Sequence, residues 1–223
     1  MTPSPTPQLL LQELQALLLT LHPALPPGSH LCGAVTGQAV LWTPTTSTQT
    51  APHCAPPPPP LRLPPHAPQR RVQDHQAGRQ CAALALRLAG HTGPAPDLAR
   101  SRSGAPTWPP GYSGSLTHAG GLSLAVAGPA PLLLGIDLEP LGSAAFPPER
   151  LLRHVLSESA FKALNAARGV PFDPAHFSPL CAASGRALLT AQGWADPLPV
   201  TWTCTPSFIV ALTVLPSPLL PAS

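Results

Sequence analysis

Two short stretches hold side chains whose types and spacing could do chemistry. The first is "GIDLEP", residues 135–140, which follows an apolar run and places Asp137 and Glu139 two residues apart. If this run is a strand, both carboxylates point to the same face. Such a pair is costly beside apolar residues unless a cation neutralises it, and Mg²⁺ takes oxygen ligands. The spacing therefore predicts a magnesium site, and the alternative is a strand end where solvent hydrates both acids.

The second stretch is "GYSGSLTHAGG", residues 111–121, which combines glycines with Ser115, Thr117 and His118. Glycine lets backbone amides approach an anion closely, and the three polar side chains can donate hydrogen bonds to phosphate oxygens. The pattern predicts a phosphate-contacting loop that leads into the apolar run "LSLAVA". The alternative is a turn that carries a histidine of the core.

Basic residues cluster ahead of these stretches and could serve the same ligand. Five arginines fall between residues 62 and 87, although the net charge of the whole chain is only +3. That low charge argues against a general nucleic-acid binder, whereas a local cationic patch suits a small anionic ligand. A basic segment, a small-residue loop and a carboxylate pair together predict Mg²⁺-assisted phosphate chemistry.

The composition predicts a globular protein in spite of 35 prolines and 17 glycines. Hydrophobic residues make up 43% of the 223 residues, which is enough apolar surface to form a core. The five cysteines form no CxxC pair, so reduced thiols in a cytoplasmic protein are expected rather than a zinc site. The amphipathic N-terminal run has no basic segment before it, and we expect neither a signal peptide nor a membrane anchor.

The elements that must position these residues are helices and strands in an α+β arrangement. Apolar spacing predicts helices over residues 9–21, 69–90, 149–167 and 177–192. Strands are expected near residues 30–43, 123–128 and 132–139, with "GPAP" as a hairpin turn between the last two, and a closing strand pair over 198–215. The proline-rich segment 51–68 favours a stiff polyproline II connection, and a docking segment for SH3-like partners is the alternative.

The order of these motifs resembles the 4′-phosphopantetheinyl transferase superfamily, in its enterobactin-synthetase-component-D-like branch. Four stretches carry the resemblance: "LPPHAPQRRVQDHQAGRQCAALAL", "GAPTWPPGYSGSLTHAGGLSLAVA", "LLLGIDLEP" and "LSESAFKAL" with Glu158. The second is similar to the family signature P-x-W-P-x-G-x-x-G-S-x-[ST]-H. The match runs from about residue 61 to residue 178.

The resemblance implies two pseudo-symmetric lobes, 1–128 and 129–223, that bind coenzyme A at their interface. It implies that a serine of an acyl or peptidyl carrier protein attacks the β-phosphate of coenzyme A with the help of Mg²⁺. The expected roles are metal binding by Asp137 and Glu139 and catalysis by these two residues and His118. Expected contacts to coenzyme A come from Arg71, Arg79, Arg102, Ser115, Thr117 and His118. A monomer is expected, with no nucleic-acid or membrane partner.

The family's last motif is a helix with an aromatic residue, then S-x-K-E-A and a further lysine four residues after the glutamate. We assign it to "HFSPLCAASGRALL", residues 176–189. In that assignment Leu180, Cys181 and Gly185 replace the lysine, the glutamate and the second lysine. Three functions stay open: an active transferase with an altered site, a relative that binds coenzyme A without transfer, and a proline-rich interaction module.

Overall fold

The structure is a computed structural model. It describes residues 6–37, 40–43, 49–50, 68–94, 98–99, 101, 105–142, 147–168 and 172–216. Arg102 and residues 51–67 of the proline-rich segment lie outside the described residues. So do the predictions made for them.

The described part of the chain contains three α-helices, two short 3₁₀ helices and ten strands. The α-helices are α1 (Pro7–Leu21), α2 (Gln69–Leu88) and α3 (Pro148–Arg168), and the 3₁₀ helices are His22–Ala24 and Pro174–His176. The strands are β1 (His30–Val35), β2 (Val40–Trp42), β3 (Gln49–Thr50), β4 (Tyr112–Ala119), β5 (Leu122–Pro129), β6 (Leu133–Pro140), β7 (Phe177–Ala183), β8 (Arg186–Ala191), β9 (Leu198–Cys204) and β10 (Phe208–Leu215). The α+β class is thus confirmed, as are the helices expected at 9–21, 69–90 and 149–167.

The strands form two five-stranded sheets. Sheet 1 has the order β3-β2-β1-β5-β4, and sheet 2 has the order β6-β10-β9-β8-β7. All neighbours within each sheet are antiparallel. Helix α2 packs on sheet 1 and helix α3 on sheet 2. The edge strands β4 and β6 pack beside each other, so the two sheets meet along one seam.

Helix α1 fills the space between the inner faces of the two sheets. Its leucines at helical spacing, such as Leu14 and Leu17, are fully buried. They share one core with Leu124 of sheet 1 and with Ile136 and Leu138 of sheet 2. Because side chains alternate along a strand, the residues of β6 between these apolar ones face α3 instead. Asp137 and Glu139 are on that second face, as their spacing predicts.

The predicted helix over residues 177–192 is wrong. These residues form the antiparallel hairpin β7–β8, with Gly185 at the turn in the left-handed region (φ +78°). Burial alternates along β8, where Leu189 and Ala191 face the core and their neighbours face solvent. Local richness in alanine and leucine favours helix, but pairing of β8 with β9 overrides that preference.

The hairpin expected around "GPAP" is also wrong. Strand β5 pairs with β1 and β4, whereas β6 pairs with β10, so the turn carries the chain from one sheet to the other. The closing strand pair is confirmed as β9 and β10. Among the described residues no helix combines the length and hydropathy that a membrane span requires.

Candidate functional site

A cleft of about 360 Å³ lies along the seam between the two sheets. Helix α2 and strand β4 supply one wall, and strand β6 and helix α3 supply the other. His75, Arg79 and His118 line the first wall, and Asp137, Glu158 and Lys162 line the second. The cleft therefore brings together residues of the basic segment, of the small-residue stretch and of the carboxylate pair.

Two hydroxyl groups of β4 join the sheets at this seam. Ser115 Oγ accepts a hydrogen bond from the Ile136 N–H at 3.1 Å, and Thr117 Oγ1 donates to Asp137 Oδ1 at 3.3 Å. Both side chains are buried and line the cleft. Their positions fix the backbone and the first carboxylate of β6 relative to β4.

Asp137 is the most buried charged group of the cleft, with 2% of its surface exposed. Lys162 Nζ donates to its Oδ1 at 2.6 Å. Its second oxygen, Oδ2, is buried and has no hydrogen-bond partner among the described residues. The same holds for Asn165 Oδ1, which also lines the cleft. An unpaired buried acceptor costs about 1–3 kcal/mol, so the cleft holds acceptor atoms that a cation or a donor would satisfy.

Glu139 lies on the same face of β6 and also lines the cleft. Its burial and its repulsion from Asp137 raise the pKa of the Glu139 carboxyl above the usual value, and Glu158 adds to that repulsion. His154 and Lys162 act in the opposite direction on this pKa. A carboxyl with a raised pKa next to other acids is a group that a bound cation would stabilise in its charged form.

Helix α3 carries one polar stripe at positions 154, 158 and 162, and the last two of these line the cleft. Residues four apart on a helix are neighbours on one face. Glu158 accepts from Lys162 Nζ at 3.3 Å through Oε1, and its Oε2 lies 3.1 Å from His154 Nε2. One potential metal-ligand atom from each of Asp137, His154 and Glu158 falls within 4.8 Å of the other two. The stripe thus brings a base, an acid and a cation to the buried Asp137.

Lys162 is the cation that balances these acids. Burial acts to lower the pKa of Lys162, but the charges of Asp137 and Glu158 and their hydrogen bonds outweigh it and raise that pKa. The ammonium group is therefore charged at neutral pH. It leaves Asp137 Oδ2 unpartnered, because it contacts only Oδ1 among the two carboxylate oxygens.

The opposite wall carries imidazole and guanidinium groups. The rings of His75 and His118 lie 5.4 Å apart between centroids and are tilted by 54°. Arg79 donates to the Leu98 carbonyl at 3.3 Å, which holds its guanidinium at the cleft. Arg71, by contrast, is exposed in the first turn of α2, and the helix lines the cleft only further along.

The segment assigned to the family's last motif lies away from this cleft. Leu180 and Cys181 are exposed on the strand β7, and Cys181 lines a separate groove with residues of β8 and β9. Because that motif is a helix, its assignment to residues 176–189 is wrong. The lysine four residues after a glutamate is found instead at Glu158 and Lys162 of α3. In this register His154 stands at the aromatic position and Ser157 at the first lysine.

The sequence reasoning missed His154, which contacts Glu158, and also Lys162 and His75, which line the cleft. The signal for the first two was present, because "HVLSESAFK" spaces histidine, glutamate and lysine four residues apart within a predicted helix. His75 precedes Arg79 by four residues on α2 in the same way.

Comparison with known proteins agrees with this arrangement of motifs. The family model described as "4′-phosphopantetheinyl transferase N-terminal domain" matches residues 61–128. Residues 61–128 are thus similar to the N-terminal domain of 4′-phosphopantetheinyl transferases. The matched residues include α2, β4 and nearly all of β5, and with them the first wall of the cleft.

Two curated members of the superfamily are similar to this chain. The 4′-phosphopantetheinyl transferase Npt of Nocardia iowensis is 37% identical over an alignment of 92 positions that covers 37% of this chain and 40% of Npt. The enterobactin synthase component D of Escherichia coli O157:H7 is 38% identical over 79 residues, or 35% of this chain and 36% of that protein. The Shigella flexneri protein of the same name matches equally. These alignments span about two fifths or less of each relative.

Proposed function

We propose that this protein transfers the 4′-phosphopantetheine group from coenzyme A to a serine of an acyl or peptidyl carrier protein. The observation that carries the proposal is the buried Asp137 with its free Oδ2, held by Lys162 in a cleft whose other wall is similar to the N-terminal domain of the transferases. The cleft combines cationic groups for phosphates with carboxylates for a metal ion.

The donor set of the cleft fits Mg²⁺. Asp137, Glu139 and Glu158 all offer carboxylate oxygens, and Asp137 Oδ2 is an orphaned buried acceptor that an ion would satisfy. When bound, Mg²⁺ would supply positive charge that neutralises the pyrophosphate of coenzyme A. These three residues are the ones that we propose to hold it.

The proposed transfer is a substitution at the β-phosphorus of coenzyme A. The serine oxygen forms a bond to that phosphorus, and the bond from phosphorus to the oxygen that bridges the two phosphates breaks. Adenosine 3′,5′-bisphosphate leaves with the electron pair, and the serine proton passes to a base. Glu158 is the carboxylate that we propose as this base, since it is partly exposed and therefore open to a carrier protein.

The first wall of the cleft would hold the nucleotide end of coenzyme A. Arg79 and His118 line it and can donate to phosphate oxygens, and the tilted ring of His75 packs against His118. Ser115 and Thr117 already hydrogen-bond across the seam, so we propose that they position β6 as well as contacting coenzyme A. Arg71 and Arg102 remain proposed contacts to the outer phosphates of coenzyme A.

Two pseudo-symmetric lobes, 1–128 and 129–223, belong to the same proposal. Each lobe would contribute one five-stranded antiparallel sheet covered by one long helix, α2 or α3. The similarity of these two halves supports the proposal, and coenzyme A would bind at the seam between them. We propose further that the protein acts as a monomer in the cytoplasm, which its free thiols at Cys32, Cys81, Cys181 and Cys204 suit.

A second candidate function is coenzyme A binding without transfer. The observation that favours it is Ser157, which stands where the motif has its first lysine and is fully buried in α3. A lysine at the transferring phosphate would stabilise charge in the transition state, and serine cannot replace it. Lys162 is then the cationic residue of α3 that lines the cleft and could serve this role.

The deciding experiment is intact mass spectrometry of apo carrier proteins after incubation with this protein, coenzyme A and Mg²⁺. The proposal expects a gain of one phosphopantetheine group on at least one siderophore, polyketide or fatty-acid carrier. A carrier whose acceptor serine is replaced by alanine should gain nothing. An active relative run alongside shows that each carrier is competent.

No gain on any competent carrier would overturn the transferase. A thermal shift on adding coenzyme A would then support the second candidate, because a ligand that binds only the folded state raises its stability. If neither transfer nor a thermal shift were observed, the remaining candidate would be a proline-rich interaction module.

A further inference from the structure

An imidazole contacts one of the carboxylates that line the cleft. His154 Nε2 lies 3.1 Å from Glu158 Oε2, one helical turn away on α3. His154, Glu158 and Asp137 bring one potential metal-ligand atom each within 4.8 Å of one another. Bonds of about 2.0–2.2 Å place two ligand atoms at most about 4.4 Å apart, so one ion contacts all three after side-chain shifts of a few tenths of an ångström.

The imidazole of His154 also packs against an aromatic side chain. The ring of His154 packs edge-on against Phe172, with 5.9 Å between centroids and 66° between planes. Phe172 in turn packs against Phe161 of α3 with centroids 5.0 Å apart. This aromatic contact orients the imidazole toward Glu158 before any ligand arrives.

A second observation at the same place points to a bound cation. Asp137 is 2% exposed, and its Oδ2 has no hydrogen-bond partner among the described residues. Lys162 and Thr117 both donate to Oδ1 instead. A histidine–glutamate pair on a helix surface needs no third group, whereas the unpaired buried oxygen of Asp137 requires a donor or a cation.

The mixed donor set selects among divalent ions. Mg²⁺ prefers oxygen ligands alone and binds imidazole poorly, whereas first-row transition-metal ions accept one nitrogen with two carboxylates readily. We propose that this cleft binds a divalent transition-metal ion through His154, Glu158 and Asp137, and prefers it to Mg²⁺. The inference deepens the metal site of the proposed function and rests on it for the role of the cleft.

Electron paramagnetic resonance with Mn²⁺ as the probe tests this inference on the metal-free full chain, without coenzyme A. The free Mn²⁺ signal should decrease as the protein is added, and pulsed spectra of the bound ion should show coupling to an imidazole nitrogen. His154→Phe should remove the nitrogen coupling and weaken Mn²⁺ binding by about ten-fold or more. Mg²⁺, measured as a competitor, should lose much less affinity in that variant.

Matched variants separate coordination from folding. His154→Gln keeps a polar contact to Glu158 and should also lose the nitrogen coupling. His176→Phe replaces a histidine that lies 3.7 Å from the single carboxylate of Asp173, outside the cleft, and should change nothing. Far-ultraviolet circular dichroism and thermal melting confirm that each variant is folded.

Three results would overturn the inference: no Mn²⁺ binding, bound Mn²⁺ without nitrogen coupling, or unchanged binding in His154→Phe. The carrier assay with Mg²⁺ distinguishes these failures from failure of the proposed function. Carrier modification without nitrogen coupling would indicate a transferase whose metal ligands are all oxygen atoms. Nitrogen coupling without carrier modification would indicate a metal site whose function is not phosphopantetheine transfer.

Discussion

At the scale of single residues, the cleft depends on how one carboxylate divides its two oxygens. Asp137 Oδ1 accepts from Lys162 and Thr117, while Oδ2 is buried without a partner. This asymmetry neutralises the charge of the acid and still leaves one oxygen for a ligand. An aspartate with both oxygens satisfied by protein donors would be a structural group only.

Replacement of Asp137 by asparagine tests this division. Asp137→Asn keeps the shape of the side chain but removes the charge, and Lys162 retains Glu158 as an acidic partner. We expect carrier modification to fall by more than about 100-fold, because the variant loses a charged ligand of the proposed metal ion, whose positive charge would stabilise the transferring phosphate. The rate of phosphopantetheine transfer, followed by mass spectrometry, measures the effect.

The exposed Asp196 provides a matched control, since Asp196→Asn removes the same charge away from the cleft. That variant should keep the wild-type rate. An unchanged rate in Asp137→Asn would remove this residue from the metal site.

The raised pKa of Glu139 gives a prediction about stability and pH. The folded protein holds the proton of Glu139 more tightly than the unfolded chain does, chiefly because the carboxyl is partly buried and is repelled by Asp137. Its ionisation therefore costs stability as pH rises through the folded-state pKa, and the cost is absent below the unfolded value of about 4.3. Glu139→Gln should raise the melting temperature at pH 7, and the gain should disappear near pH 4.

Divalent cations should make the wild type melt at a higher temperature than Glu139→Gln at pH 7, because they favour the charged carboxylate. Added Mg²⁺ or Mn²⁺ should stabilise the wild type more than Glu139→Gln. Glu149→Gln, at an exposed position of the first turn of α3, should show no gain at pH 7. A lower melting temperature for Glu139→Gln at pH 7 without metal would contradict the electrostatic account.

The sequence predicted some residues of the cleft better than others, for physical reasons. Asp137 and Glu139 followed from strand alternation alone, which needs no knowledge of partners. His154 and Lys162 were missed because an aromatic residue was sought at the start of the last motif, and Phe177 supplied one in a segment that is a strand. Helical spacing around Glu158 was the better guide.

At the scale of elements, the close approach of α3 to β6 positions the second wall of the cleft. Gly135 of β6 lies under α3, and a Cβ atom there would overlap the Ser159 carbonyl and lie 2.6 Å from the Ala163 nitrogen. Both obstacles are helix backbone and cannot rotate away. The absence of a side chain at position 135 is therefore what lets Glu158 and Lys162 reach Asp137.

Gly135→Ala should push α3 away from sheet 2. We expect a loss of about 1–3 kcal/mol or more in the free energy of unfolding, together with a loss of transfer activity, because the clash moves the helix that carries Glu158. Chemical denaturation measures the first effect and the carrier assay the second.

Gly78→Ala is the matched control on α2, where the nearest side-chain atom would be 3.7 Å from the new Cβ. It should leave stability equal or improve it by up to about 1 kcal/mol, since alanine favours helix over glycine. Equal stability for Gly135→Ala and the wild type would mean that α3 does not approach β6 as closely as described.

Element types were easier to predict than element pairing. Long helices such as α2 can be predicted from the spacing of apolar residues within a single segment of about 20 residues. The hairpin β7–β8 did not, because its alanines and leucines favour helix locally and only its pairing with β9 makes it a sheet. The "GPAP" turn was misread for a related reason, since a turn does not show which sheet the next strand joins.

At the scale of the whole molecule, the two ends of the described chain are tied to each other. Glu13 of α1 is 4% exposed, and its carboxylate accepts hydrogen bonds from Ser207 at 2.8 Å and from Thr205 at 3.3 Å. The two hydroxyls belong to the connection between β9 and β10. Helix α1 is thus anchored to sheet 2 by polar contacts as well as by its leucines.

Glu13→Ala should lower the free energy of unfolding by about 1–3 kcal/mol, because it leaves two partly buried hydroxyls without their acceptor. Ser207→Ala alone should cost less, and the double variant should cost less than the sum of both. Gln12→Ala, one residue earlier on the exposed side of α1, should have little effect. Additive losses in the double variant would show that the carboxylate and the hydroxyl do not interact in solution.

The tie between Glu13 and the β9–β10 connection has a consequence for synthesis on the ribosome. Thr205 and Ser207, whose hydroxyls donate to Glu13, follow it by 192 and 194 residues. Helix α1 therefore leaves the ribosome long before its partners are synthesised. At about 5–20 residues per second, the leucine face of α1 waits roughly 10–40 seconds for sheet 2. During that interval the nascent chain exposes an apolar helix face, and chaperones that bind such faces would have their longest opportunity there.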